Sequence, residues 1–425
     1  MEAQQPAAES ARRWWLAALL VAAMILAYAQ RGAISVAAPF LMKDTGLTPA
    51  GMGLLLSAFF WAYSFLQVPA GWLVDRLGVR RAYAAGFAFW SLASAATAYA
   101  TNLLSLIVVR VMLGVGQAVA FPASARAVAN WFQPRERGSV TAAYLTGVRL
   151  GQALVSAVGG LFLASRGWKA FFLWTGLLPM IWLLPWWRLL GRVESRAAGE
   201  PTGPPAPRLS LVRSIGLLRQ RTVLGIFLGF FAYDYVWFLF VTWLPGYLVV
   251  ERGFGPKEMG FYSSVPYLGM SVVIVLAGLA GDWLIRRGLP ETAVRKTFIV
   301  AGLGIACLVA PAGLVEDKML AVWLLTLSIC ALGLASPNTW TLTQAMCERS
   351  IVGTVSGIQN FGGNVGGILA PAVTGYIAQA TGSFALALGL AALISLLGIA
   401  AYLGLISRRV EAVRAAPAIR RPAAR

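Results

Sequence analysis

The sequence predicts an all-α membrane protein of twelve transmembrane helices, arranged as two pseudo-symmetric six-helix bundles. Of its 425 residues, 59% are hydrophobic and only 12% are charged, against about 25% charged residues in soluble domains. Apolar runs long enough to cross a bilayer, which takes about 20 residues, recur along the whole chain. A motif of glycine, aspartate and arginine follows the second run of each half. These three observations exclude a soluble enzyme and indicate a polytopic membrane protein.

Twelve apolar runs divide the chain into six plus six. The first run continues through Arg31 and is too long for a signal peptide, so we interpret it as a retained helix. The runs lie at about 14–40, 51–74, 82–100, 103–130, 139–162, 168–190, 222–250, 259–285, 297–315, 319–346, 351–378 and 383–407. The predicted segments are an N-terminal tail (1–13), two bundles (14–190 and 222–407), a Pro/Gly/Arg-rich cytoplasmic linker (191–221) and a basic C-terminal tail (408–425).

The positions of the basic residues predict the orientation. If the N-terminus is cytoplasmic, the tails and even-numbered loops contain 25 of the 35 Lys and Arg residues, and the odd-numbered loops contain 6. Cytoplasmic loops carry this excess, so both termini are predicted to be cytoplasmic. Topology and contact with membrane lipid therefore explain the net charge of +19 better than nucleic acid does. We expect a multi-pass protein of the cell membrane, with the bacterial inner membrane as its location.

Tryptophans mark several of the predicted span ends. Such positions suit interfacial anchors, because the indole ring is amphipathic and favours the headgroup level. The tryptophans concerned are Trp14, Trp15, Trp186 and Trp187.

The composition also excludes several kinds of chemistry. The chain has no histidine, which removes imidazole proton relays, Ser-His triads and histidine zinc sites. It has no Walker loop, no metal-ligand spacing and no nucleophile elbow. We therefore expect no enzymatic activity, no metal, no cofactor and no obligate protein partner.

An internal repeat follows the second span of each half. The two copies read Gly71-Trp-Leu-Val-Asp75-Arg76-Leu-Gly78-Val-Arg80-Arg81 and Gly278-Leu-Ala-Gly-Asp282-Trp-Leu-Ile-Arg286-Arg287-Gly288. The repeat indicates two homologous bundles, as in transporters that alternate access around a site between their halves. We interpret these residues as a cytoplasmic gate, in which an aspartate at a helix end pairs with arginines. The alternative is a set of loop charges that extend to the membrane surface.

Several motifs resemble the major facilitator superfamily and, within it, the anion:cation symporter family. The first repeat resembles the loop signature of the superfamily. The more specific matches are Tyr28-Ala-Gln-Arg31-Gly-Ala-Ile-Ser35-Val-Ala-Ala-Pro39, the run from Arg110 to Pro122, the run from Asn130 to Gly138, Thr242-Trp-Leu-Pro-Gly-Tyr-Leu248, and the run from Asn360 to Pro371. The resemblance implies a secondary transporter that moves a small organic anion, such as a sugar acid, by proton-coupled alternating access.

Three arginines lie well inside predicted spans, where a charge costs at least about 2.5–3.5 kcal/mol. They are Arg31, Arg110 and Arg149, and the only carboxylate well inside a span is Asp234. The surplus of positive charge favours an anionic substrate, because a guanidinium can bind a carboxylate through two parallel hydrogen bonds. Alternatively, Arg110 extends to the surface, and Arg149 pairs with helix carbonyls or with Asp234. We interpret Arg126, near the end of span 4, as a cytoplasmic-side anchor.

The resemblance also implies a central cavity between spans 1, 4 and 5 on one side and spans 7, 10 and 11 on the other. Amides and hydroxyls there would bind substrate hydroxyls, and aromatic faces would cover its carbon skeleton. The residues at such positions are Tyr28, Tyr63, Gln152, Ser336, Trp340, Asn360 and Asn364. For Tyr63 and Trp340, ordinary packing is the competing interpretation.

Two positions depart from the family pattern. Proton-coupled members carry Asp and Glu where this chain has Gln30 and Gln117, and glutamine cannot exchange a proton. Either the protein is an uncoupled facilitator or anion exchanger, or the proton site has moved to Asp234. A drug or cation exporter of the same superfamily and a non-transporting sensor are further alternatives. The scarcity of membrane carboxylates argues against the exporter.

Overall fold

Helices make up nearly all of the described protein. The computed structural model describes residues 7–190, 216–348 and 351–410, and within these ranges only Cys347 and Val410 form a β-bridge. The predicted all-α class is confirmed, while parts of the predicted tails and most of the linker lie outside the described residues. The helices are α1 (Ala7–Thr45), α2 (Pro49–Leu77), α3 (Val79–Ala96), α4 (Leu103–Gln117), α5 (Ala120–Trp131), α6 (Pro134–Leu177), α7 (Leu183–Leu190), α8 (Arg221–Val250), α9 (Pro256–Arg286), α10 (Glu291–Ala306), α11 (Val309–Ala312), α12 (Lys318–Met346), α13 (Val352–Thr381) and α14 (Ala385–Gly404).

Nine helical segments of the described residues are long and apolar enough to cross a membrane. One of them, Glu136–Leu189, contains both the fifth and the sixth predicted spans, which are separated where Gly167 adopts a φ of 75°. The third and eleventh predicted spans correspond to α3 and α13. The arrangement is consistent with the predicted twelve helices.

Two spans are interrupted where the sequence predicts continuous helices. Span 4 divides into α4 and α5 around Ala118 and Val119. Span 6 contains a short 3-10 segment, Leu178–Trp182, between α6 and α7. Pro179 lies in this segment, and proline has no backbone N–H to donate to the helix.

A glycine of the repeat motif makes the tight connection between α2 and α3. Gly78 adopts φ 79°, which side chains with a Cβ rarely tolerate. Its amide donates to the carbonyl of Val74 at 3.0 Å, and α3 begins at the next residue. The turn therefore requires glycine at this motif position.

The two halves meet through α2 with α13, α6 with α9, and α1 with α8. Near the start of α2, a Cβ added to Gly375 would lie 3.0 Å from the Cα of Gly53. On the other side of the molecule, a Cβ added to Gly160 would lie 2.7 Å from the Cα of Gly260. The halves are thus in direct backbone contact at the end that the orientation predicts to be external.

A short segment at the opposite end ties three helices of the C-terminal half together. We call residues 406–410 the C-terminal strap. The hydroxyl of Thr222 of α8 donates a 2.7 Å hydrogen bond to the carbonyl of Arg408 in this strap. The ammonium of Lys296 of α10 donates to the carbonyl of Ile406. The amide of Val410 donates to the carbonyl of Met346, the last residue of α12, at 2.7 Å.

The tryptophans at span ends follow the prediction only in part. Trp14, Trp15 and Trp187 are exposed, as interfacial anchors should be. Trp186 is fully buried, and its indole Nε1 donates to the carbonyl of Arg80 at 3.1 Å. The prediction is wrong for Trp186, because its ring packs inside the bundle against those of Tyr83 and Trp182, with ring centres 5.0 and 4.7 Å away.

The orientation remains a prediction that labelling can test. On a background without the three cysteines, Lys43→Cys lies in the last turn of α1, at the end predicted to be external, and should react with an impermeant thiol reagent added outside intact cells. Ser195→Cys lies in the linker and should react only after the cells are permeabilised. The reverse pattern would contradict cytoplasmic termini.

Candidate functional site

Arg31 lies in α1 inside a cage of aromatic rings. Its guanidinium carbon is 4.3 Å from the ring centre of Tyr28, 4.2 Å from that of Phe59 and 4.5 Å from that of Tyr63. The residue is only 5% exposed. Cation–π attraction stabilises a desolvated guanidinium in such a cage. The aromatic residues therefore hold the charge in the interior without neutralising it.

The hydrogen bonds of Arg31 fix its orientation. Its Nε donates to Oε1 of Gln117 at 3.2 Å, and its Nη1 donates to the hydroxyl of Tyr28 at 3.3 Å. The amide nitrogen of Gln117 in turn donates to the carbonyl of Ala27 at 2.8 Å. None of the four ion pairs of the described residues includes Arg31. The guanidinium is therefore oriented and has no carboxylate counter-ion among these residues.

Arg110 lies behind Arg31. Its Nη2 donates to the backbone carbonyl of Arg31 at 2.8 Å, and its guanidinium carbon is 5.4 Å from the ring centre of Phe59. The residue is buried, and within the described ranges its Nε has no hydrogen-bond partner. This placement differs from an extension to the surface and makes Arg110 a support for the backbone of Arg31.

Gln30 points away from Arg31. Its amide nitrogen donates to the hydroxyl of Ser91 at 3.2 Å and to the carbonyl of Thr175 at 2.8 Å. Gln30 therefore ties α1 to α3 and α6, whereas Gln117 binds Arg31 directly. The two positions that depart from the family pattern perform separate structural roles.

Gln152 of α6 is buried, and its side chain lies close to the hydroxyl of Tyr267 of α9. Gln152 is 1% exposed, and neither its amide oxygen nor its amide nitrogen has a hydrogen-bond partner among the described groups. A Cβ added to Gly32 would overlap this amide oxygen, which places Gln152 against α1 one residue beyond Arg31. Gln152 therefore lies where α1 and α6 pack together at Gly32.

Arg149 bridges the two halves. Its Nη2 donates to the hydroxyl of Ser336 of α12 at 3.3 Å, and its guanidinium lies 4.6 Å from the ring centre of Trp237. Asp234 of α8 interacts electrostatically with Arg149 but belongs to none of the ion pairs within 4.0 Å. A Cβ added to Gly363 would overlap the carboxylate of Asp234. Asp234 therefore packs against α13 beside Arg149.

The remaining candidates of the C-terminal half lie on α12 and α13. Trp340 packs edge-on against Phe230, with ring centres 5.1 Å apart. Asn360 donates to the amide oxygen of Gln67 of α2 at 2.9 Å, which joins the halves, and Asn364 is buried one helical turn further on. The predicted residues are thus distributed over both halves, with Arg31 in the first and Asn364 in the second.

The repeat motifs form ion pairs within each half. Asp75 lies 3.9 Å from Arg126 of α5, with both side chains about half exposed. Asp282 accepts a 2.7 Å bond from Arg295 of α10, which also donates to Asn338 at 3.2 Å. Neither pair crosses between the halves, so a gating role for these aspartates stays a prediction.

The other motif residues surround these pairs. Gly71 faces α5, but a Cβ there would make only an ordinary 3.9 Å contact with Pro122, so the helix packing does not require glycine at this position. Arg76, Arg80 and Arg287 lie over the rings of Trp72, Trp187 and Trp283. Arg81 and Arg286 are exposed.

Sequence reasoning missed two residues of these clusters. Phe59 was counted only as part of an apolar run, although it contacts both Arg31 and Arg110. Arg295 was counted as a loop charge, yet it is buried in α10 and contacts two acidic side chains. Its spacing of four residues from Glu291 is a helical ion-pair signal that could have identified it. Among the described residues, no cluster of Cys, Asp or Glu could hold a metal ion.

Two packed helical halves, bridged by the bond from Arg149 to Ser336, are typical of secondary transporters of the membrane. The chain belongs to the Major Facilitator Superfamily, whose sequence profile matches residues 20–371. The predicted family is therefore confirmed.

Curated relatives match nearly the whole chain. A D-galactonate transporter of Escherichia coli O6:H1 is 32% identical over 94% of this chain and 97% of its own. A hexuronate transporter of Bacillus subtilis is 32% identical over 89% and 92%. A probable galactarate/D-glucarate transporter of Escherichia coli K12 is 30% identical over 90% and 93%.

A solved structure supports the fold. A bacterial homologue of the human lysosomal transporter Spinster, in an inward-facing and unoccupied conformation, superposes with a TM-score of 0.77. The two chains are 18% identical, and the match covers 98% of this chain and 100% of the other. At this identity, the likeness concerns the fold alone.

Proposed function

We propose that this protein is a secondary transporter that moves a small organic anion, a hydroxylated carboxylate such as a sugar acid, across the cell membrane by alternating access. The relatives named as transporters of galactonate, hexuronate and galactarate or glucarate support this substrate class. For a bacterial protein, the proposed location is the inner membrane.

The observation that carries the proposal is a set of interior arginines that form no ion pair within 4.0 Å among the described residues. Arg31, Arg110 and Arg149 belong to none of the ion pairs of the described residues. Arg110 supports Arg31 from behind, so Arg31 and Arg149 are the guanidiniums available to a ligand. A carboxylate supplies the counter-charge through hydrogen bonds of the charge-assisted kind. The Arg31 cage is thus the proposed carboxylate site.

Uncharged polar groups account for recognition of hydroxyls. Gln152 is buried against Gly32, the residue that follows Arg31, and Asn364 is buried on the facing half. A buried amide in a binding site lowers the affinity for a ligand without a hydroxyl, because the amide is then left unpaired, and raises the affinity for a ligand that forms a hydrogen bond with it. Tyr63 and Trp340 offer the aromatic faces against which the carbon skeleton packs.

For energy coupling, we propose that Asp234 carries the proton. Gln30 and Gln117 cannot release one, and their amide nitrogens already donate hydrogen bonds to backbone and side-chain groups. Asp234 lies beside Arg149, which contacts Ser336 across the halves. Binding of an anion at Arg149 would change the field at Asp234, which links the two events. The second candidate, an uncoupled facilitator or anion exchanger, is favoured by the two glutamines alone.

Uptake into proteoliposomes tests the substrate class. We expect radiolabelled sugar acids such as galactonate to enter, and the corresponding neutral sugars and organic cations to be excluded. Uptake of organic cations in preference to acids would indicate an exporter-like cavity. Binding of an acid without any flux would indicate a sensor.

Replacing Asp234 tests the coupling. An imposed inward proton gradient should accelerate uptake by the wild type, and Asp234→Asn should abolish this acceleration while leaving exchange of internal for external substrate. Glu316→Gln removes an exposed carboxylate from an external loop and should behave as the wild type. Uptake by the wild type that ignores the gradient would establish the facilitator or exchanger. Gradient-driven uptake by Asp234→Asn would eliminate Asp234 as the proton site.

A further inference from the structure

A groove lies between α3 and α7, at the ends of these helices that the orientation places on the cytoplasmic side. Its volume is about 640 Å³. Its wall is formed by the apolar side chains of Leu183, Leu184 and Ala85, and by the ring of Trp187. Two arginines, Arg81 and Arg188, complete the lining. The groove therefore combines an apolar wall with two positive charges.

Hydrogen bonds between the two helices hold the groove in shape. The indole of Trp186 donates to the carbonyl of Arg80 at 3.1 Å, and the guanidinium of Arg80 donates to the carbonyl of Trp187 at 3.1 Å. The same guanidinium lies 4.2 Å from the ring centre of Trp187. These contacts fix the ring as one side of the groove, independently of any ligand.

The charge of the groove is uncompensated in the described part of the chain. Arg81 and Arg188 are exposed and take part in none of its four ion pairs, and no acidic side chain lines the groove. Leu184 and Trp187 are also exposed, so the apolar wall faces outward from the bundle. An outward-facing apolar wall in a membrane protein contacts acyl chains, and a basic residue beside it lies at the level of the headgroups.

A second groove shows what distinguishes this one. It lies between α8 and α14, has a volume of about 470 Å³, and is lined by residues such as Leu228, Phe231, Ile394 and Leu397, with no charged side chain. Such a surface accepts any acyl chain. Of the two grooves described here, the one between α3 and α7 combines an apolar wall with cationic groups, and the one between α8 and α14 does not.

We propose that the groove between α3 and α7 is a binding site for one anionic phospholipid. Arg81 and Arg188 bind the phosphate through charge-assisted hydrogen bonds, and an acyl chain lies against Leu183, Leu184 and Trp187. The length of the apolar wall selects a lipid over free phosphate, because phosphate would leave that wall without a partner. The site is separate from the Arg31 cage and would exist whatever the substrate.

Lipid titration of the purified, delipidated full-length protein tests the site. Native mass spectrometry counts the lipid molecules bound to the protein at each concentration of added lipid. The wild type should bind phosphatidylglycerol at lipid concentrations at which it does not bind phosphatidylcholine with the same acyl chains. Each arginine near an anionic headgroup strengthens binding several-fold, so the double variant Arg81→Gln, Arg188→Gln should bind phosphatidylglycerol about thirtyfold more weakly. The charge-matched control Arg219→Gln, Arg221→Gln removes two exposed arginines from the start of the C-terminal half and should retain wild-type affinity.

A variant that fills the groove separates lipid from free phosphate. Ala85→Trp leaves both arginines in place and fills the groove with a bulky ring. This variant should also bind phosphatidylglycerol at least tenfold more weakly than the wild type. Its melting temperature without lipid shows whether it is folded. Equal affinity for phosphatidylcholine, wild-type affinity in either groove variant, or full competition by glycerol phosphate would each overturn the proposal.

Discussion

Arg31→Ala is expected to lower the initial rate of sugar-acid uptake about thirtyfold or more at a substrate concentration well below saturation. The loss of one partner from a buried, hydrogen-bonded charge pair costs about 2–5 kcal/mol, which corresponds to about thirtyfold to several thousandfold in affinity. The aromatic cage of Tyr28, Phe59 and Tyr63 has no charge to replace the guanidinium. The measurement is radiolabelled uptake into proteoliposomes that contain equal amounts of protein.

Two further variants isolate the role of the guanidinium. Arg31→Lys keeps the charge but loses the planar fork and the bond to Gln117, so we expect partial activity. Arg166→Ala removes an exposed arginine of an external loop and should transport as the wild type does. Wild-type uptake by Arg31→Ala would remove the carboxylate site from the Arg31 cage.

Gly375→Val is expected to hold the external end of the transporter open and to reduce uptake at least tenfold. A Cβ at this position would overlap the carbonyl of Pro49, and it would lie 3.0 Å from the Cα of Gly53 and 2.9 Å from the ring of Trp243. Backbone atoms cannot move aside as a flexible side chain can. The contact between α2 and α13 must therefore separate, and a transporter that cannot close one end cannot complete its cycle.

Distance measurements between spin labels report this opening. Labels at Lys43→Cys and Lys257→Cys, placed near the external end of each half on a cysteine-free background, should show a longer distance in Gly375→Val. The control is Gly357→Val, on the same helix but with no atom within 4 Å of the added Cβ. An unchanged distance distribution in Gly375→Val would show that the glycine contact does not determine closure.

Hydropathy predicted where helices lie but not where they break. For α1, α2 and α8, most helix boundaries lie within a few residues of the boundaries of the predicted apolar runs. The agreement arises because a bilayer requires a minimum apolar length. The interruption around Ala118 and the short turn around Pro179 lie inside long apolar runs, so the mean hydropathy does not mark them. Pro179 is nevertheless a helix-breaking residue that the sequence displays, whereas Ala118 and Val119 carry no such signal.

Charges inside spans were the informative part of the site. Arg31 was identifiable because placing an arginine in the bilayer interior costs free energy, and such arginines usually have a functional role. The direction of Gln30 was not, because residues 30 and 31 are adjacent on one helix and face different neighbours. Phe59 was hidden for the opposite reason, since a phenylalanine in an apolar run carries no mark that its ring faces a cation.

The C-terminal strap has a consequence for the order of folding. Residues 406–410 follow the last helix and bond to residues near Thr222, Lys296 and Met346. A chain is synthesised from its N-terminus, so these three helix ends enter the membrane before the strap exists. The C-terminal half therefore reaches its final packing only after residue 410 has been added. The N-terminal half has no such dependence on the strap and can acquire its own contacts earlier in synthesis.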